Sequence, residues 1–337
     1  MASASRGLLL KLASNDNLPE LAHVFHEMGL HPIARLAYKI SLNTVSSIQA
    51  EKLDVRALNH PRLEKFLEKT GLPLNNRRLD RLLSVSKNQL HLITDILEDL
   101  MVDAGSYGKT GFFNLDFSED AISSSRPSEV SLAEALALAL DVGAVRLTDL
   151  YLEKHELGPF SLKKASSGEQ CLLVLLLGIA GHIEDGSLVL IDEPEISLHP
   201  KWQEDFMLML MHAYSRFKRC QFVIATHSPQ LVSRLKGENC FVSSLSKRKL
   251  HSAADFSEKS ADYQLAELFD APGIMNEYIS RVAFNLIASL RASKINDEIV
   301  CEYNHFIEIA KNLEKNDPML DLVSTVKEAF KFYASRK

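Results

Sequence analysis

No stretch of this sequence is both long enough and apolar enough to cross a bilayer. The segment Cys171 to Ala180 stays far below the ~20 residues a spanning helix needs. Leu8-Leu9-Leu10 is too short for a secretory h-region, and no convincing small-residue cleavage site follows it. The expectation is a cytoplasmic protein with no membrane partner. Cysteine is scarce as well. Cys171, Cys220, Cys240 and Cys301 lie far apart, outside any CxxC or Cys/His cluster, so neither a disulfide framework nor a zinc site is written in the sequence. Positive charge is in deficit, with 38 Lys and Arg against 44 Asp and Glu for a net charge of −6. That balance gives no global attraction to nucleic acid, and any such partner must be recognised by a local patch. What is present, 46% hydrophobic and 24% charged residues over 337 positions, is the composition of a globular protein with one large or two ordinary domains.

Taken in order, the first hundred residues read as helical. Leu21, Val24, Phe25, Met28 and Leu30 recur at roughly helical spacing within 18–42. A second helix is expected over Pro61–Thr70 and a longer one over Asn76–Val102, so that residues 1–103 form a helical arm or lid. Arg77, Arg78 and Arg81 give the longer helix a basic start, read as a solvated face with Asp80 as partner. Gly105-Ser106-Tyr107-Gly108-Lys109-Thr110 invites comparison with the phosphate loop GxxxxGK[ST], but Asp103 stands where the first glycine is required and no apolar strand precedes it. It reads as a loop opening a connecting region, 104–157. That region holds a strand over Phe112–Phe117, a serine-rich connector, and a helix that starts at the capping box Ser131/Glu134 and stops at Gly143.

Three stretches then carry chemistry. Ala165-Ser166-Ser167-Gly168-Glu169-Gln170 opens an apolar helix, and small residues at a helix start leave backbone N–H groups and the positive helix end facing outward, an arrangement suited to an anion. An ordinary N-cap reads the same way. Leu188-Val189-Leu190-Ile191 runs into Asp192-Glu193-Pro194, which is a buried strand ending in acid, where open α/β sheets place their ligands. Asp192 there can hold Mg²⁺ through water and Glu193 can polarise a water, although a solvated acidic turn fits the same residues. An amphipathic helix follows, with Trp202, Phe206, Leu210, Ala213 and Phe217 on its core face. A second buried strand, Gln221–Ala225, ends at Thr226-His227-Ser228. A right-handed strand-helix-strand unit would bring His227 near Asp192 and Glu193. A hairpin over Asn239–Ala253 closes this 158–255 core. Helices near Tyr263–Phe269, Asn276–Ala292, Ile295–Asn312 and from Asp317-Pro318 to Ser335 make a helical region, 256–337.

The three motifs, Ser166-Ser167-Gly168-Glu169-Gln170, Asp192-Glu193-Pro194-Glu195-Ile196-Ser197-Leu198-His199-Pro200 and Thr226-His227-Ser228, resemble in order and approximate spacing those of ABC-type ATPases. Their form is similar to the soluble branch that holds OLD-type ATPases, RecF- and SMC-like proteins and phage-defence ATPases such as PtuA of Septu and retron systems. The resemblance spans about 158–235. It implies an α/β fold of P-loop NTPase type with the helical arm and helical C-terminal region attached. It also implies that ATP and Mg²⁺ are the cofactors, that Asp192 organises the metal, that Glu193 activates water and that His227 meets the γ-phosphate. Ser167, Gly168, Glu169 and Gln170 would be the signature closing over ATP held by a second subunit, with Ser197 in the loop that crosses the dimer. A homodimer or larger ATPase oligomer, an effector nuclease and DNA are the implied partners, in DNA maintenance or antiphage defence. One departure stands against the pattern, the lack of a phosphate loop and of a clear glutamine loop. The expectation is a C-terminal piece of a longer gene product. A subunit lending its signature helix to a complete partner and a non-hydrolysing scaffold are the alternatives.

Overall fold

The computed structural model describes residues 2–14, 18–40, 54–71, 76–101, 109–118, 127–235, 237, 239–245, 248–292 and 296–335. The chain divides into two compact units, one of residues 1–198 with 209–224, the other of residues 199–208 with 225–337.

The first unit is built on a four-stranded antiparallel sheet of order β2-β1-β3-β4, formed by β1 (Leu30–Ile40), β2 (Gly111–Asp116), β3 (Val145–Lys154) and β4 (Gly158–Ser161). Its buried face follows from side-chain alternation. Ala34 of β1 lies between Leu115 and Leu152, and Leu36 between Phe113 and Leu150, and all six are at most 7% exposed. This corrects the helical reading of 18–42. Helix α2 (Leu21–Glu27) is present, but Gly29 at φ 70° ends it, a left-handed position that costs glycine nothing. The chain then runs as strand, with Ala34, Leu36, Tyr38 and Ile40 buried at a period of two. Pro32, which lacks an N–H, sits in the irregular register between Leu30 and Ala34, where its carbonyl accepts from the Phe117 N–H at 2.9 Å.

Helices pack beside this sheet and on one another. Helix α1 (Ala2–Ala13) packs on α6 (Pro127–Asp141) and on α7 (Ser167–Ala180). Ala133, Ala135, Leu136, Ala137 and Ala139 of α6 are wholly buried, and small side chains there let the helices approach closely. The segment expected as one helix over 76–102 is two, α4 (Asn76–Leu83) and α5 (Lys87–Asp99), because Ser86 starts the second with a capping box to Gln89. Helix α3 (Pro61–Thr70) forms as expected. Arg81 binds not Asp80 but Asp141 at the end of α6, at 2.8 Å. Gly143, at φ 70°, ends α6 as expected, while α6 begins at Pro127, ahead of Ser131. Residues 105–108 and the Ser131 side chain lie outside the described residues.

Within the same unit β5 (Leu188–Asp192) pairs with β6 (Gln221–Ala225). Their first residues meet, since Gln221 N–H donates to the Ser187 carbonyl at 2.9 Å and Gly186 N–H to that of Lys218 at 2.9 Å, so both strands run the same way. The expectation that these strands are buried on both faces is corrected. Ile191 is 6% exposed, but Leu188, Leu190 and Val223 on the opposite face are 61, 70 and 46% exposed. The unbroken apolar run therefore marks a sheet with one core face and one open apolar face. Helix α8 (Pro200–Ala213) connects the two strands, burying Phe206, Met209, Leu210 and Ala213.

The second unit contains α9 (Pro229–Ser233), the antiparallel hairpin β7 (Phe241–Ser244) and β8 (Lys249–Ser252), and helices α10 (Ala261–Glu267), α11 (Glu277–Ala292), α12 (Asp297–Ala310) and α13 (Met319–Ala334). The last four share a core that includes Ala266, Ile279, Ala283, Leu286, Phe306 and Val326. The hairpin and the terminal helices agree with the sequence periodicity.

Candidate functional site

The start of α7 is the most thoroughly specified turn among the candidates. Ser166 occupies the N-cap in extended conformation, and its hydroxyl oxygen accepts from the Glu169 N–H at 3.3 Å. Glu169 returns the bond, its Oε2 accepting from the Ser166 N–H at 2.8 Å and lying 2.9 Å from the Ser166 hydroxyl. The other oxygen, Oε1, accepts from the Lys154 ammonium at the end of β3, at 2.8 Å. Burial alone would push the Glu169 carboxyl up, but the bonds from Lys154 and from the Ser166 N–H and hydroxyl outweigh it, and the carboxyl sits below its ordinary value. Glu169 is thus a fixed carboxylate of the scaffold. Gln170 is turned back as well, its Nε2 donating to the Ala165 carbonyl at 2.9 Å. That leaves exposed Ser167 at the surface, while the first-turn amides of Ser167 and of buried Gly168 precede the first intrahelical bond. Such a helix end favours an anion.

The end of β5 forms the second place. Asp192 is exposed at the last strand position, and Glu193 follows in left-handed conformation at φ 44°. Ser197, at φ 70°, closes the same turn, which is held by bonds from Ile196 N–H to the Glu193 carbonyl at 3.2 Å and from Leu198 N–H to that of Glu195 at 3.0 Å. A left-handed conformation at two non-glycine residues costs of order 1–3 kcal/mol each, and proteins concentrate that cost at functional turns. Buried Pro194 and Leu198 anchor the turn, which leaves Asp192 and Ser197 at the surface. Among the described residues no group of three or more His, Cys, Asp or Glu is arranged to hold a metal by itself. A lone exposed carboxylate at a strand end instead suits Mg²⁺, which keeps several waters and takes oxygens from substrate phosphates.

His227 belongs to the second unit, in the extended link between β6 and α9, and is exposed. Hydrogen bonds hold the link. Thr226 Oγ1 accepts from the Ser228 N–H at 2.9 Å, and the buried Ser228 hydroxyl lies 2.8 Å from Gln203 Oε1 and 2.9 Å from Gln230 Oε1. Arg234 joins Asp205 at 2.7 Å and Glu204 at 2.8 Å, fixing the end of α9 to the start of α8. The structure thus gathers Ser167 to Gln170 on one helix start and Asp192, Glu193 and Ser197 on one turn, both in the first unit, and carries His227 in the second. Lys154 escaped the sequence reading, since it sits fifteen residues before Glu169 on a strand that had not been recognised.

The chain combines a helix start open to an anion with a strand ending in exposed acid, in a fold of mixed α/β build. The chain belongs to the family described as "AAA domain, putative AbiEii toxin, Type IV TA system", whose profile matches residues 27–233 and so encloses all three motifs. It is 29% identical over 215 residues to "Retron Ec83 probable ATPase" of Escherichia coli, across 58% of this chain and 35% of that protein. It is 32% identical over 89 residues to "Retron Vc95 probable ATPase" of Vibrio cholerae serotype O1 biovar El Tor, across 23% of this chain and 17% of that protein. The chain therefore spans about a third or less of the length of these relatives. No helix among the described residues is long and apolar enough to cross a membrane.

Proposed function

We propose that this chain is the nucleotide-responsive core of an ABC-type ATPase in a defence system, acting as a dimer that closes on ATP. The observation that carries the proposal is the single family match over residues 27–233, which contains the Ser167–Gln170 helix start, the Asp192–Glu193 strand end and His227 in that order. In this reading Asp192 would hold Mg²⁺, and the metal would neutralise charge on the phosphates. Glu193 orients the attacking water and accepts its proton. His227 donates to the γ-phosphate. Ser167 and the amides of Ser167 and Gly168 meet the same phosphate from the partner subunit, and Ser197 lies where the subunits meet. ATP binds only the closed dimer well, so hydrolysis weakens the interface. An effector nuclease and DNA are the partners this reading assigns, by analogy with a retron setting.

The test is ATP turnover with Mg²⁺ measured beside the dimer fraction. Glu193→Gln should slow turnover at least ~100-fold while raising the dimer fraction in ATP. Unchanged turnover would remove Glu193 from its role. A second reading, a non-hydrolysing subunit that lends its signature helix to a complete ATPase, is favoured by the lack of any GxxxxGK[ST] run in the 337 residues. Calorimetric titration with ATP and Mg²⁺ separates the two, because tight binding by this chain alone contradicts the second.

A further inference from the structure

The second unit holds a groove of about 410 Å³ lined by Glu258, Lys259, Ser260, Tyr263, Tyr278 and Arg281. Its floor is aromatic. Tyr263, in the first turn of α10, meets Tyr278, in the first turn of α11, edge to face with ring centroids 4.9 Å apart. The Tyr278 hydroxyl donates to Glu267 Oε1 at 2.7 Å, an oxygen that also lies 2.7 Å from His305 Nε2, so the ring is held from behind. Burial, then the Glu267 charge, pushes the phenol of Tyr263 up, and burial with the Glu267 hydrogen bond does the same to Tyr278, so both rings stay neutral at physiological pH.

The rim carries two cations, Lys259 and Arg281, beside the exposed carboxylate of Glu258. Lys259 Nζ stands 5.7 Å from the Tyr263 ring centre, and the Arg281 guanidinium 5.9 Å from that of Tyr278. Both side chains are exposed, and neither pairs with a carboxylate among the described residues. In a chain of net charge −6 that is notable, because Arg62, Arg81 and Arg234 all have carboxylate partners. Two uncommitted cations over two neutral, half-buried rings match a ligand that is planar at one end and anionic at the other. The volume suits something of nucleotide size.

We infer that this groove binds one nucleotide unit, with the base on Tyr263 and Tyr278 and the phosphate between Lys259 and Arg281, as in sequence-tolerant recognition of single strands. A chain whose overall charge repels nucleic acid needs a local site of this kind to engage it. The site is independent of the Ser167, Asp192 and His227 groups, so it stands or falls apart from the ATPase reading.

The test is fluorescence anisotropy of the full chain with a short labelled oligothymidylate at low salt, with circular dichroism to verify that each variant folds. Tyr263→Ala and the pair Lys259→Ala with Arg281→Ala should each weaken binding ~10-fold. Tyr263→Phe should keep the affinity, and the charge pair should lower the salt slope by about 0.7 per lost phosphate contact. Competition with thymidine monophosphate tells the source of the unit. Displacement only at large excess assigns the groove to a strand, and displacement at equal concentration assigns it to a free nucleotide. Absence of oligothymidylate and nucleotide binding, or binding that all three variants leave unchanged, would overturn the inference.

Discussion

Individual residues decide what the α7 start can offer a ligand. Glu169 is the fourth residue of the pentapeptide Ser166–Gln170, and its two oxygens are taken by Ser166 and Lys154. Because its folded carboxyl lies below the ordinary value, these bonds stabilise the fold wherever the unfolded carboxyl is ionised, above about pH 4.3. The contribution is lost as the pH falls through the lowered folded value. Lys154→Ala should therefore cost about 1 kcal/mol at neutral pH, and the deficit should shrink below about pH 4. Denaturant titrations at both pH values check this, and a deficit independent of pH would mean that Lys154 acts through packing on Phe160 instead. The order of Ser167, Gly168, Glu169 and Gln170 was legible in the sequence, but the division of labour was not. It is the folded structure that turns Glu169 and Gln170 to the scaffold and Ser167 outward. The left-handed turn at Glu193 and Ser197 was equally hidden, since neither residue type announces such a conformation.

At the level of elements, the sequence spoke clearly where local chemistry ends a segment and poorly where distant pairing shapes it. Helix α3 announced itself through Pro61 at its start and Gly71 after its end. The start of α5 was present in the sequence as Ser86 and Gln89, but an apolar periodicity running through both helices concealed it. Ser86→Ala should lower stability by ~1 kcal/mol, measurable by thermal unfolding, and no change would show that the break between α4 and α5 is set by packing alone. Strand β1 was missed because its first apolar residues continue the helical spacing of α2, and its strand character comes from pairing with β2 and β3 far along the chain. The crossing of α1 and α7 is invisible in sequence. A Cβ at Gly7 would stand 2.0 Å from the Gly181 carbonyl oxygen just past α7, with backbone on both sides of the contact. Gly7→Ala should cost ~3 kcal/mol or more, and a loss under ~1 kcal/mol would show that the helices can part easily.

Across the whole molecule, the α/β build of the 158–255 stretch and the position of the acid at the end of β5 were readable from the residue pattern and the family resemblance, as was the helical C-terminal region. The open face of β5 and β6 was not, because an uninterrupted apolar run looks the same whether one face or both are covered. The division into two units assigns the proposed phosphate contacts to different bodies, with Ser167, Asp192 and Glu193 in the first and His227 in the second. The function proposed above is an ATP-responsive assembly. It is tested most directly by light scattering on the Glu193→Gln protein with Mg²⁺ and either ATP or ADP. The account predicts a doubled mass in ATP alone, abolished when Ser167→Arg is added. A mass that ignores the nucleotide, or a dimer that tolerates Ser167→Arg, would contradict it.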